Sequence, residues 1–273
     1  MMCACAVNLK PWCVAGLLVL SVAAPARAAD VGLLDGLRVM RQAEERYKGN
    51  DRREQLTITV YREHRPDKKR VMSVLWFEKD FGKEDKIVVH FTAPKDIAGT
   101  NLLMHVLPYK DDDRWLYFPQ EKIHRRIRAR DKNSTFMGTD FTYDDLAEQE
   151  PDEEHHTLLR VEPCGNTACY VVESTPKEMA DAGYSRTQTW VEKDHFVKVR
   201  IEYWDLGGRH LKTYTAEKIV EVDGSWMPTR LAMRTDQSAQ NTIVERTGMK
   251  LNVGLKDELF LAQRLADFPF DKY

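Results

Sequence analysis

The chain has 273 residues, with 41 Lys and Arg against 43 Asp and Glu and a formal net charge of −2. That balance argues against a nucleic-acid partner, which is bound through a basic excess. Hydrophobic residues make up 42% of the sequence, enough for a sizeable core.

Residues 1–28 read as an export leader. Lys10 supplies the positive start and Cys13 to Ala24 the apolar run. Ala26-Arg27-Ala28 supplies the small-x-small pattern of a cleavage site after Ala28. The run is shorter than the roughly 20 apolar residues of a membrane span, although an uncleaved anchor is the competing reading. Without Lys10 and Arg27 the balance is 39 bases against 43 acids. Residues 29–273 are expected to form one soluble periplasmic domain. Cys164 and Cys169 are the cysteines left after the leader, on either side of Gly-Asn-Thr-Ala. In an oxidising compartment they are expected to form a disulfide that staples Leu158–Val161 to Tyr170–Glu173. Half a metal site is the alternative, but no other cysteine remains to complete it.

The mature chain begins with a helical pattern over Val31 to Tyr47. Leu34, Leu37, Met40 and Tyr47 share a stripe, and Gly49-Asn50 ends it. Strand patterns follow at Leu56–Tyr61, Val71–Glu78, Ile87–Thr92, Asn101–Leu107 and Arg114–Phe118. Asn133 to Glu148 is a mixed loop and short helix carrying Phe136, Met137, Phe141, Tyr143 and Leu146. Strands resume at Tyr170–Glu173, Thr187–Glu192, Phe196–Trp204, Leu211–Val222, Thr229–Arg234 and Thr242–Val253. Lys256 to Ala266 reads as a terminal helix. The short spacings favour antiparallel hairpins over crossovers.

Along Phe196–Trp204, Val197, Val199, Ile201 and Tyr203 alternate with Lys198, Arg200 and Glu202, giving one apolar and one wet face. A few helices cannot cover the apolar face of so many strands. The sheet therefore either packs as an ordinary core or curls around a pocket.

The order of elements resembles the LolA/LolB-type lipoprotein-carrier superfamily. Particular stretches resemble its outer-membrane lipoprotein-sorting branch, which is associated with exporters of the RND type. They are Phe91-Thr-Ala-Pro-Lys-Asp-Ile-Ala-Gly-Thr100-Asn-Leu-Leu103, Trp115-Leu-Tyr-Phe-Pro119, Arg125-Arg-Ile-Arg128, Phe136-Met-Gly-Thr-Asp-Phe-Thr-Tyr-Asp-Asp-Leu146 and Trp226-Met-Pro228. The resemblance implies a mainly β fold: a strongly curved antiparallel sheet, an incomplete β-barrel, capped by a few α-helices and holding acyl chains inside. It implies a periplasmic carrier of a lipid or lipidated protein, in transient contact with a membrane surface and possessing an RND-type exporter as partner. The alternative is a non-transporting docking protein of such an exporter.

The faces taken as cavity-lining are those of Leu56, Ile58 and Val60; Val74 and Trp76; Val89 and Phe91; Trp115 and Tyr117; Val197, Val199, Ile201 and Tyr203; and Leu231 and Met233. Phe136 and Phe141 would line it from a movable lid around Gly138. Arg126, Arg128 and Arg130 would form a basic ladder for anionic headgroups if their segment is a strand. The competing reading is a salt-bridged surface strand. His155-His156 after Asp152-Glu153-Glu154 could touch a metal, but adjacent ligands without further partners fit a solvated acidic loop better. No nucleophile elbow, phosphate loop or dinucleotide fingerprint occurs, so no catalytic residue, cofactor or metal is assigned and the chain is read as a non-enzyme.

Overall fold

Alternating side chains along thirteen segments build one continuous antiparallel sheet. The computed structural model describes residues 35–272 apart from 109, 148, 149 and 268. The expected leader and its cleavage site lie outside the described residues. A helix, α1 (Gly36–Glu45), precedes β1 (Asp51–Arg62), β2 (Arg65–Asp80), β3 (Asp85–Ala93), β4 (Asn101–Val106), β5 (Asp113–Phe118) and β6 (Ile123–Ile127). A crossing segment, 128–153, leads to β7 (Glu154–Cys164), β8 (Thr167–Pro176), β9 (Arg186–Glu192), β10 (Lys198–Trp204), β11 (His210–Val222), β12 (Ser225–Thr235) and β13 (Gln240–Leu251). The spatial order is β6-β5-β4-β3-β2-β1-β13-β12-β11-β10-β9-β8-β7. Two meanders are thus sewn together where β1 pairs with β13, Ile58 opposite Val244.

The sheet is a curved, open one, as the resemblance implied. Its concave side carries two separate covers. The crossing segment folds back over the first meander, where Phe136 packs among Leu56, Ile58, Val74, Val89, Phe91, Leu102 and Leu116. Helix α1 covers the other end, with Val39, Met40 and Ala43 against Val172 and Val191. Asp35 caps α1 by accepting the Arg38 N–H at 2.8 Å. The expected helix over Val31 to Tyr47 is shorter within the described residues, because the chain turns extended at Arg46.

The expected terminal helix over Lys256 to Ala266 is instead two 3-10 turns, Asp257–Phe260 and Ala262–Arg264. Leu255, Leu259, Phe260, Leu265 and Phe270 are all buried on the convex face against Phe77, Val88, Leu103 and Tyr117. Fitting apolar side chains into the sheet's own corrugation overrides the weak helical preference of so short a stretch. The convex face is therefore dry over β2–β5, where one wet face was expected.

The Cys164–Cys169 disulfide joins the ends of β7 and β8 across their turn, the predicted hairpin staple. Gly36 fixes how closely α1 sits on β7: a Cβ there would lie 2.8 Å from the carbonyl carbon of His156 and 2.9 Å from the Leu158 nitrogen. Both obstacles are backbone, so the helix itself would have to move. Gly36→Ala should lower stability by about 1–3 kcal/mol in urea unfolding. An unchanged midpoint would mean that α1 is not seated on β7 in this way.

Candidate functional site

The inward row of β1 reads Arg52, Glu54, Leu56, Ile58, Val60, so a single strand carries a charged end and an apolar end of the concave face. Neighbouring strands repeat the division. In the pairing ladders Trp76 stands opposite Glu54 and Val74 opposite Leu56, Leu231 opposite Val244, and Ile201 opposite Tyr214. Between the two covers lies a cavity of about 870 Å³. Leu56, Ile58, Trp76, Val89, Val244, Leu231, Met233, Ile201 and Tyr203 line it from the sheet. Met40 and Ala43 reach it from α1, and Phe136, Phe141 and Leu146 from the crossing segment.

The charged end is built around a buried pair. Arg246 grips Glu54 with two hydrogen bonds, 2.6 and 2.7 Å, and donates a third to the Pro228 carbonyl at 3.0 Å. Burial alone would push the Glu54 carboxyl up; the guanidinium groups of Arg246 and Arg52 outweigh it and hold the carboxyl below its usual range. Tyr214 is half-buried beside this pair, and burial pushes its hydroxyl up to about 12. Arg52 turns toward Glu78, which also accepts from the Trp76 indole at 3.0 Å.

The crossing segment is fastened at both flanks. Lys212, 2% exposed, donates to the Asp145 carboxylate at 2.5 Å and to the Asp140 carbonyl at 3.0 Å. Tyr184 donates to Asp145 at 2.8 Å, and Thr242 to Asp140 at 2.6 Å. On the opposite side Arg114, 1% exposed, bonds Asp112 and Asp144 at 2.7 and 3.0 Å. The expected movable lid is thus pinned by two buried ion pairs. Removing one partner of such a pair strands the other without water.

Eleven of the expected lining residues stand on the cavity wall: Leu56, Ile58, Trp76, Val89, Phe136, Phe141, Val197, Ile201, Tyr203, Leu231 and Met233. Val60, Val74 and Phe91 share that face but are packed solid with their neighbours. Trp115 and Tyr117 differ from expectation. They point to the convex side beneath the C-terminal segment, and it is Leu116 that faces inward. Val199 also faces outward, packed with Cys164, Cys169, Val171 and Trp190. A bulge between Lys198 and Arg200 breaks the alternation there, so Val199 is out of phase with Ile201 and Tyr203.

The basic ladder is not a ladder. β6 ends at Ile127, so Arg128 and Arg130 leave the strand and both turn to Asp131. Arg126 pairs with Asp113 and lies over the Trp115 ring. Among the described residues the partners of these arginines are Asp113 and Asp131, not the acidic residues of 150–154. His156 bonds Ser174 and the Pro151 carbonyl through its two ring nitrogens, each at 2.7 Å. Among the described residues no group of three His, Cys, Asp or Glu is placed to hold a metal.

Sequence reasoning passed over Arg52, Glu54 and Arg246. The signal was there: Arg52 and Glu54 are in phase with Leu56 and Ile58, and Arg246 with Val244, so charges interrupt an apolar face. Arg246→Met should cost about 3–5 kcal/mol at neutral pH, because it strips buried Glu54 of both its hydrogen bonds and leaves only the Arg52 charge beside it. The additional change Glu54→Leu should restore most of that loss. In the wild type the pair's contribution is complete above the ordinary Glu range and falls away as pH drops through the depressed value. Urea unfolding between neutral and acidic pH reads both effects; equal stability of wild type and Arg246→Met would show that the pair does not form.

A family model with the description of an uncharacterized protein matches residues 83–267. Among solved structures, a DUF1329 family protein from Desulfovibrio piger is 27% identical, with a TM-score of 0.80 over 84% of this chain and 97% of its own. A putative outer membrane lipoprotein-sorting protein domain from Vibrio parahaemolyticus is 26% identical, with a TM-score of 0.79 over 85% of this chain and 98% of its own. A LolA superfamily protein from Nitrosomonas europaea has the same fold at 23% identity, with a TM-score of 0.66 over 83% of this chain and 97% of its own. No curated protein matches the sequence.

Proposed function

The chain belongs to the family matched over residues 83–267 and has the LolA-type fold, and on that premise we propose that it is a periplasmic carrier that holds acyl chains in the cavity between α1 and the crossing segment. The observation that carries this reading is the cavity itself. Leu56, Ile58, Trp76, Val89, Ile201 and Leu231 make an apolar stretch of its sheet wall beside the charged end, and its volume of about 870 Å³ falls within the range of roughly 300–1,000 Å³ typical of small-molecule sites. Each acyl methylene taken from water into such a wall contributes about 0.8 kcal/mol, so a few carbons give useful affinity.

Export through the leader at 1–28, with 29–273 as one carrier domain, completes the proposal. The cargo is a lipid or a lipidated protein on its way toward the outer membrane, and the role is binding, not catalysis. An inner-membrane exporter of the RND type is the partner that the resemblance suggests. A pure docking protein for that exporter would not need an open apolar chamber.

Ile201 stands on the cavity wall, whereas Val74 sits in the solid packing under the crossing segment. Ile201→Trp should therefore leave the melting temperature nearly unchanged while weakening a fluorescent fatty-acid probe by about tenfold or more, the equivalent of two lost methylenes. Val74→Trp should overpack the core and cost about 1–3 kcal/mol. If wild-type protein binds no probe and Ile201→Trp is as destabilised as Val74→Trp, the region is ordinary core and the carrier reading fails.

A further inference from the structure

The charged end of the cavity does more than close it. A second cavity of about 480 Å³ adjoins the first and shares Glu44, Arg46, Lys48, Arg52 and Glu150 with it. The larger chamber has an apolar stretch of sheet wall that includes Leu56 and Ile201; the smaller one is lined almost wholly by charged and polar groups, Lys79, Asp80 and Asp152 among them. Arg52 stands at their junction, with its side chain only 11% exposed. Its terminal nitrogen bonds Glu78, but its buried Nε has no hydrogen-bond partner among the described residues. Glu54 Oε1 lies 3.3 Å from that Nε, an ion-pair contact that is not a hydrogen bond. A buried guanidinium N–H without an acceptor is costly, and a ligand oxygen would relieve it.

From this juxtaposition we infer that Arg52 is the head-group subsite of the carrier, taking an amphiphile whose head bears one negative charge, a carboxylate or a phosphodiester. The inference rests on the carrier reading and names its ligand class. Tail and head separate where the two cavities meet: methylenes pass between Leu56 and Ile201, and the head oxygen accepts from Arg52. The carboxylates of the smaller cavity are largely engaged already. Asp51 accepts from the backbone N–H groups of Val253, Gly254 and Leu255, Asp80 from that of Gly82, and Asp152 from Arg41. Their number still makes a multiply charged head unfavourable there, so one charge is the fit. An amide-linked acyl chain on a lipidated protein brings no such charge and would leave Arg52 unanswered.

The test compares a polyene fatty acid with its methyl ester on the full-length exported protein. Its second arm compares phosphatidylglycerol with diacylglycerol of the same chains, by native mass spectrometry. The acid should bind about tenfold or more tightly than the ester, the effect of a hydrogen bond to a charged group. Arg52→Met should shrink that ratio to about twofold or less, and Arg52→Lys should keep part of it. A preference in the first arm alone assigns a carboxylate, in the second alone a phosphodiester. Equal binding of acid and ester together with equal binding of both glycerolipids overturns the subsite while the carrier reading stands. Binding of none of the four overturns both. The wild-type comparison needs no variant, so poor folding of Arg52→Met would not shelter the inference.

Discussion

Among the described residues a thirteen-strand concave face is kept from water by one ten-residue helix and one crossing segment, and this mismatch of areas shapes the rest of the molecule. An apolar sheet face left open invites aggregation, whereas a face closed completely is only a core. Here the covers are placed at opposite ends, α1 over β7–β9 and the crossing segment over the first meander. Between them the inward rows of β1 and β10–β13 line a chamber. Curvature makes that arrangement possible, since a flat sheet would bring neither cover to the other's edge.

Holding the covers in place takes buried charge. Lys212–Asp145 and Arg114–Asp144 tie the crossing segment to strands on either side of the chamber. Each ion has given up its water, so neither tie can part without stranding a charge in the protein interior. A segment fixed in this way acts as a wall. Entry of a long molecule is then more natural at the polar end, where α1, Lys48 and Arg52 meet the smaller cavity, than by lifting of the aromatic plug.

The strands were legible in the sequence because period-two alternation is written directly in residues such as Leu56, Ile58 and Val60. The cavity face was legible wherever that alternation is unbroken, as in Ile201 and Tyr203. It failed at Val199, where a bulge adds a residue to one strand, a feature that no periodicity announces. It failed again at Trp115 and Tyr117. Both faces of β5 are covered, so aromatic bulk does not say which face is inside. The terminal segment misled for a related reason: its apolar spacing suits a helix, yet long-range packing on the convex face decides its path. Arg126, Arg128 and Arg130 suggested a ladder because strand ends are not visible in a run of alternating arginines. The charged end of the chamber was written as in-phase Arg52, Glu54 and Arg246, but pairing between β1 and β13, about 190 residues apart in sequence, is what turns those letters into a site.

All of this rests on the chamber holding chains and not merely enclosing space. Native mass spectrometry of the protein purified from the periplasm of an expressing cell, without detergent, addresses that claim most directly. The account predicts a population heavier than the bare chain by the mass of a lipid, which organic extraction releases and Ile201→Trp diminishes. A single species at the mass of the bare chain, unchanged after incubation with phospholipid vesicles and fatty acid, would contradict it.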